Sequence, residues 1–300
     1  MKRFFFFVIF LLNLSFANAQ YFGDVFREDA DSLSGILFGN FPDEEKLIAN
    51  QQLEMLTLAF LQSDSSLQFT YDSLLFASYV QSEDESFSLL TWVIPLADHH
   101  YMFSGFFQMI SHKQIDTVYC LKPLDVEVEN NLVYSMQKWP EAVYKQILPK
   151  GKKEKYYTLL GWVGKPEGLA GKRIETLTFD SLGQPVFGVP AFTMKDGSVQ
   201  NRIDFEYTNE VPFHLSYELQ RLPGEKRKTG WMIVFNQIGG NTPGMGRVFR
   251  GPVPSFEFFD AFVPINEKWV FFEDVHPRAN TKDLSDEPPT EIGLPEIRKK

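Results

Sequence analysis

Cysteine is almost absent from this chain of 300 residues, in which Cys120 has no second cysteine to pair with. A chain with one cysteine forms no internal disulfide, so a hydrophobic core must hold its fold together. Aromatic residues make up 15% of the sequence and supply ample material for such a core. Cys120 lies between apolar neighbours in TVYCLKP, which is typical of a buried, unreactive thiol rather than of a nucleophile.

Positive charge is also in short supply. The chain has 29 Lys and Arg residues against 39 Asp and Glu residues, a net charge of −10 at pH 7. Phosphate backbones are bound through clustered Lys and Arg, so this balance argues against a nucleic-acid binder and against a general binder of anionic membranes. The partner expected is an unknown ligand or protein of the cell envelope or the exterior.

Residues 1–19 have the organisation of a cleavable export signal. Lys2 and Arg3 form a positive start, residues 4–12 are an unbroken apolar run, and residues 17–19 read Ala-Asn-Ala, an A-x-A cleavage site. A membrane anchor is the alternative, but the apolar stretch falls short of the roughly 20 residues that a spanning helix needs. We therefore expect cleavage after residue 19, a soluble periplasmic or extracellular product, and no membrane-spanning segment after cleavage.

Motifs for catalysis are missing as well. The chain has no G-x-S-x-G elbow and no H-E-x-x-H, and its glycine clusters fit neither a Walker nor a dinucleotide-binding pattern. The polar run Asp98-His99-His100, with His112 beyond it, is better explained as turn residues flanking a hairpin than as metal ligands. No metal and no cofactor is expected, and the catalytic residues, if any, are unknown.

Two hypotheses of different class remain open. The first is a non-catalytic protein of the envelope that binds a ligand or partner. The second is a carboxylate-dependent hydrolase acting on an envelope polymer or glycan, because paired catalytic acids follow no local spacing rule and the chain has 39 acids.

Helix signals are few. Residues 43–62 open with Asp43, Glu44 and Glu45 behind a proline, and apolar residues then recur close to a 3.6-residue period, which predicts a long helix. A shorter helix is expected from Pro140 to Leu148, with Pro140 in its first turn.

Most of the remaining sequence predicts strands. RIDFEY and FHLSYEL alternate apolar and polar residues on either side of a short turn. SFSLLTWVIP and YMFSGFFQMI form a second expected pair across LADHH, and SFEFFDAFVP pairs with KWVFFEDV across residues 265–267. Connections this short favour antiparallel meanders over parallel crossovers.

Together these signals predict an α+β fold dominated by strands, with antiparallel sheets of meander or sandwich type and an N-terminal helix packed on one face. Residues 20–86 are expected to form a helical region that packs on the main domain, and residues 87–275 the antiparallel β domain. Residues 276–300 carry four prolines and mixed charge, which predicts a flexible charged tail.

One segment stands out as a candidate binding surface, the glycine-rich stretch from Gly161 to Arg173. Its glycines permit backbone shapes that other residues reach only at a cost. Its cations would suit a carboxylate or a phosphate on a partner. A long hairpin connection with solubilising charges is the alternative. The predicted site residues are Gly161, Trp162, Gly164, Lys165, Gly168, Gly171, Lys172 and Arg173.

The segment YYTLLGWVG, followed by LTFDSLGQPVFG, resembles a family of exported, uncharacterised bacterial proteins that pair YYTLLGWDG with LxFDxxGxPVFG. The likeness extends over most of the chain after the signal. It implies a shared fold and export, and it brings no catalytic residues with it. The aspartate usual after the tryptophan is Val163 here, so any role of that acid in relatives does not carry over.

Overall fold

The computed structural model describes residues 22–124, 126–149, 155–165, 168–225, 228–239 and 251–275. Within them strand predominates over helix, which confirms the expected β-dominated α+β fold. The predicted signal at residues 1–19 and the predicted tail at residues 276–300 lie outside the described residues.

The helices are α1 (residues 22–38) and α2 (Asp43–Leu61). The strands are β1 (Ala77–Gln81), β2 (Phe87–Pro95), β3 (Tyr101–Ser111), β4 (Gln114–Cys120), β5 (Tyr134–Ser135), β6 (Val143–Leu148), β7 (Tyr157–Val163), β8 (Leu169–Phe179), β9 (Pro185–Phe187), β10 (Phe192–Thr193), β11 (Val199–Gln200), β12 (Arg202–Thr208), β13 (Leu215–Arg221), β14 (Thr229–Gly239), β15 (Val253–Ile265) and β16 (Lys268–Val275).

Helix α2 agrees with its prediction to within a residue. Its first turn carries three acids, which the partial positive charge of a helix N-terminus favours. Its buried side, which includes Leu53 and Phe60, packs against the first sheet in one cluster with Trp92 and Phe106. Helix α1 lies within residues 20–86, the region predicted to be helical, although no pattern marked it as a separate helix; its buried Phe26 joins the same cluster.

The first sheet has the strand order β1-β2-β3-β4, and the expected hairpin of β2 with β3 is confirmed. Its strand β2 is buried along nearly its whole length because both faces of the sheet are covered. Leu90 and Trp92 contact the helices, whereas Leu89 and Val93 contact the second sheet. Strand β1 lies within the N-terminal region that was expected to be helical.

The second sheet has the order β5-β9-β8-β7-β6, with β12 also paired to β8. The helix predicted from Pro140 to Leu148 is wrong, because β6 occupies this stretch and pairs with β7. Val143, Tyr144 and Ile147 are β-branched or aromatic residues that pack well in a pleated sheet, and β7 offers them a hydrogen-bonding partner.

The third sheet has the order β11-β10-β16-β15-β14-β13, and the expected hairpin of β15 with β16 is confirmed. Strands β10 and β16 run parallel, unlike the other pairs. The expected hairpin of RIDFEY with FHLSYEL is wrong, since β12 pairs with β8 in the second sheet and β13 with β14 in the third. The turn between them therefore carries the chain from one sheet to the next.

Four layers result from this arrangement: the helices, then the first, second and third sheets. The second and third sheets share a core that includes Leu160, Ile174, Phe205, Phe235 and Phe262. Among the described residues no helix is long and apolar enough to cross a membrane.

Cys120 lies at the end of β4 and is half-buried, with its thiol free. Burial is the largest cause of a raised pKa at this thiol, followed by the nearby charge of Glu54. A raised pKa lowers the fraction of reactive thiolate, as expected of an unreactive cysteine.

Candidate functional site

The predicted loop from Gly161 to Arg173 is for the most part a β-hairpin. Five of the eight predicted site residues lie within its two strands: Gly161, Trp162, Gly171, Lys172 and Arg173. The other three lie in the turn between the strands: Gly164, Lys165 and Gly168. Across the ladder Gly161 is the direct partner of Arg173, so the two ends of the predicted loop are neighbours in a sheet.

The structure explains why glycine occupies two of these positions. Gly168 has a φ of 83°, a left-handed backbone conformation that glycine adopts at no steric cost. At Gly171 an added Cβ would come within 2.6 Å of Cγ2 of Val163, so the close approach of β7 to β8 requires the missing side chain. Neither glycine needs a bound phosphate to explain it.

The three cations of the segment are engaged by groups of the protein itself. Arg173 is buried and donates from Nε and from a terminal nitrogen to the two carboxylate oxygens of Asp204, across 2.6 and 2.7 Å. Burial works to lower the pKa of Arg173, but the bonds to Asp204 outweigh it and raise the pKa above its ordinary value. Lys172 donates to the carbonyl oxygen of Phe213 across 2.8 Å.

Lys165 is partly exposed and makes an ion pair. Its Nζ lies 3.1 Å from a carboxylate oxygen of Glu206, and a quarter of the side chain is exposed. Trp162 is half-buried, with its ring packed edge-on against Tyr101 at a centroid distance of 5.3 Å. The binding role of this segment stays a prediction.

A network of buried charges crosses the second sheet from β8 to β12. Arg202 donates from Nε to Oε1 of Glu175 across 2.7 Å, and both side chains are fully buried. The hydroxyl of Tyr144 donates to the other carboxylate oxygen across 2.8 Å. Burial, reinforced by the charge of Glu175, raises the pKa of Tyr144 well above its ordinary value and keeps the hydroxyl protonated.

Glu175 is the one fully buried acid among the described residues, and both of its oxygens are occupied. An acid in this setting has no free oxygen to accept a proton from a substrate and no path to solvent. The network therefore stabilises the sheet and has no catalytic geometry. The sequence does not reveal this network, because Arg202 falls on the polar side of an alternating strand and nothing in the local pattern marks it as buried.

A serine, a histidine and a glutamate meet on β13 and just before it. Ser216 Oγ lies 2.8 Å from Nε2 of His214 and donates to Oε1 of Glu218 across 2.6 Å, and Nε2 of His214 lies 2.9 Å from the same Oε1. Gln220 donates to Oε2 across 2.9 Å.

These contacts differ from a catalytic triad, in which serine and acid bind opposite nitrogens of the imidazole ring. Here both approach Nε2, so the acid does not orient the histidine toward the serine. The cluster is centred on the carboxylate instead. Burial works to raise the pKa of Glu218, but the hydrogen bonds from His214, Ser216 and Gln220 outweigh it and lower the pKa to about 2.

One aromatic pair lies at the margin of the core shared by the second and third sheets. Trp231 on β14 stacks on Tyr217 of β13 with a centroid distance of 5.0 Å and an interplanar angle of 25°, yet 51% of Trp231 is exposed. Leu219 is the direct cross-strand partner of Trp231 and is also exposed. The remaining tryptophans are half-buried or buried. They are Trp92, Trp139, Trp162 and Trp269.

The pair is joined to the core through Tyr217. Tyr217 packs edge-on against Trp269, and the indole nitrogen of Trp269 donates to Oγ1 of Thr158 across 2.9 Å. Trp231 and Tyr217 both lie within hydrogen-bonded strands, which fix the positions of their backbones. We call Tyr217, Leu219 and Trp231 the aromatic platform. Sequence reasoning missed it because WMIVF has no alternation that marks its tryptophan as exposed.

Metal ligands do not gather in the described parts of the chain, where no group of three or more His, Cys, Asp or Glu side chains could hold an ion. His99 and His112 lie in turns beside β3 with φ values of 58° and 52°. The comparisons with family models, with curated proteins and with solved structures found no match to this chain.

Proposed function

We propose that the protein is a non-catalytic binding protein of the bacterial envelope, exported to the periplasm or the exterior, and that its aromatic platform contacts the ligand or partner. The observation that carries the proposal is the half-exposed Trp231 stacked on Tyr217 of the adjacent strand. Large, rigid aromatic side chains offer much contact area at a low entropic cost, and they dominate many binding surfaces.

Two further observations favour binding over hydrolysis. The buried Glu175 is neutralised by Arg202 and Tyr144. The half-buried Glu218 is committed to Ser216, His214 and Gln220, in contacts that do not make a triad. Export rests on the expected signal at residues 1–19 and on the resemblance to exported proteins.

A capture experiment with matched variants tests the binding role. The mature protein, Trp231→Ala and Phe258→Ala are each immobilised and exposed to envelope extract, because Phe258 is a strand residue with the same 51% exposure as Trp231. We expect a component of the extract to be retained by the wild type and by Phe258→Ala but not by Trp231→Ala. After purification, this component should bind the wild type again. Equal retention by all three proteins would refute the role of the platform.

Two controls address the remaining parts of the proposal. Release of reducing ends from envelope glycans by the wild-type protein would favour the hydrolase over the binding protein. Mass spectrometry of the exported protein should find Gln20 as the first residue, and an intact N-terminus would contradict the expected cleavage.

A further inference from the structure

Trp231 has a different neighbour on each of its two diagonals across the strand pair. In the register of β13 with β14, Leu219 lies directly opposite Trp231, and Arg221 lies opposite Thr229. Tyr217 and Arg221 are thus the two diagonal neighbours of Trp231, on the same face of the sheet. Diagonal neighbours in an antiparallel pair are about 7–8 Å apart, within reach of aromatic and long side chains.

Tyr217 covers one ring face of Trp231 by stacking on it. Arg221 lies on the opposite diagonal, the exposed Leu219 lies directly across the ladder, and 51% of Trp231 is exposed. Arg221 makes no ion pair and no side-chain hydrogen bond with the described parts of the chain, although acidic residues outnumber basic ones in the sequence. A half-exposed indole and a guanidinium without a partner among the described residues are therefore diagonal neighbours on one face of the sheet.

We infer that the aromatic platform together with Arg221 binds a glycan that carries carboxylate groups, such as a chain of uronic acid residues. This inference rests on the proposed binding function and names its ligand class. The flat C–H face of a pyranose ring stacks on an indole in the same way that aromatic and aliphatic groups pack. A carboxylate on the ring accepts two parallel hydrogen bonds from a guanidinium, the arrangement that arginine favours.

The charge of the protein as a whole does not oppose this ligand at close range. Interactions between exposed charges are largely screened beyond about 8 Å at physiological ionic strength, so the local Arg221 outweighs distant acids. Among the described cations near Trp231, Lys228 is paired with Glu225 at 2.9 Å, whereas Arg221 has no ion pair.

The test uses the mature full-length protein, with an oligogalacturonate and a neutral galacto-oligosaccharide of equal length as probes. Isothermal titration should detect binding of the uronate. Trp231→Ala should weaken it about tenfold, the equivalent of about 1.4 kcal/mol. Arg221→Gln should weaken binding of the uronate by a similar factor and leave any binding of the neutral probe unchanged. Phe258→Ala and Lys268→Gln are the matched controls for the aromatic and the cationic change.

Acrylamide quenching gives an independent readout, because Trp231 is the exposed tryptophan of the described residues. Bound uronate should reduce the quenching of the wild type and leave that of Trp231→Ala unaltered. Uronate binding that is insensitive to Arg221→Gln, or equal binding of the neutral probe, would overturn the inference. If neither probe binds, and the capture experiment yields a protein partner that Trp231→Ala does not retain, the glycan assignment is wrong. The proposed binding function would still hold in that case.

Discussion

Arg202 and Glu175 form an ion pair of 2.7 Å in the interior of the second sheet, and neither side chain has any exposed surface. The terminal nitrogens of Arg202 also donate to the carbonyl oxygens of Glu129 and Phe187, and its guanidinium lies over the ring of Tyr134. The pair is thereby satisfied on all sides, which is the condition under which a buried charge is tolerated.

Arg202→Met should lower the free energy of unfolding by about 3–5 kcal/mol, because it leaves Glu175 as an unpaired buried charge. Adding Glu175→Leu removes that charge and should recover part of the loss. Urea denaturation of the protein measures both changes. If Arg202→Met alone is as stable as the wild type, an unpaired Glu175 does not destabilise the protein as expected.

Replacing the cations of the predicted binding segment should destabilise the protein more when the cation is buried than when it is exposed. Arg173→Ala should lower the free energy of unfolding by about 3–5 kcal/mol, since it strands Asp204 in a partly buried site. Lys165→Ala should change it by less than about 1 kcal/mol, as exposed pairs usually do. Thermal melts of the two variants check this difference. Equal melting temperatures would contradict the buried position of Arg173.

Gly171→Ala should destabilise the protein by about 1–3 kcal/mol, because the new methyl group collides with Val163 in the adjacent strand. Val163→Ala in the same chain should relieve the collision and restore part of the stability. Gly239→Ala is the control, because its nearest neighbour would lie 3.8 Å away. Urea denaturation should find the control close to the wild type, and equal losses in both variants would contradict the steric explanation.

The cluster around Glu218 should make stability depend on acid. Its pKa is about 2 in the folded protein and about 4.3 in an unfolded chain, so the unfolded state binds the proton first. The stabilisation is therefore present above about pH 5 and is lost as the pH falls toward 2. Glu218→Gln should cost about 1–2 kcal/mol at pH 6, after allowance for solvent screening, and almost nothing near pH 2.

Unfolding free energies at several pH values, compared between wild type and Glu218→Gln, measure this loss. Glu257→Gln, a change at an exposed acid of the same sheet, is the control. A cost of Glu218→Gln that stays constant from pH 6 to pH 2 would contradict the lowered pKa.

Local patterns were sufficient where a strand pairs with its neighbour in sequence. The hairpins of β2 with β3 and of β15 with β16 follow from two apolar runs joined by a short polar turn. Helix α2 follows from its acidic start and its period. The fold class could therefore be predicted from the sequence.

Local sequence patterns did not predict the strand pairing where the partner strand lies far along the chain. The alternation in β12 correctly places Ile203, Phe205 and Tyr207 on a buried face, but it holds no information about whether β13 or β8 pairs with it. Residues 143–148 became a strand because β7 pairs with them, a tertiary effect that outweighs the helix signal of Pro140. The exposure of Trp231 likewise depends on how far the second sheet covers the third.

The parallel pairing of β10 with β16 has a consequence for how the chain folds. Phe192 aligns with Trp269, so the third sheet cannot close until the last described strand has been synthesised. Contacts between residues so distant in sequence carry a high loop-closure entropy and slow the folding reaction. A nascent chain of this topology therefore remains without a complete third sheet until β16 has been synthesised.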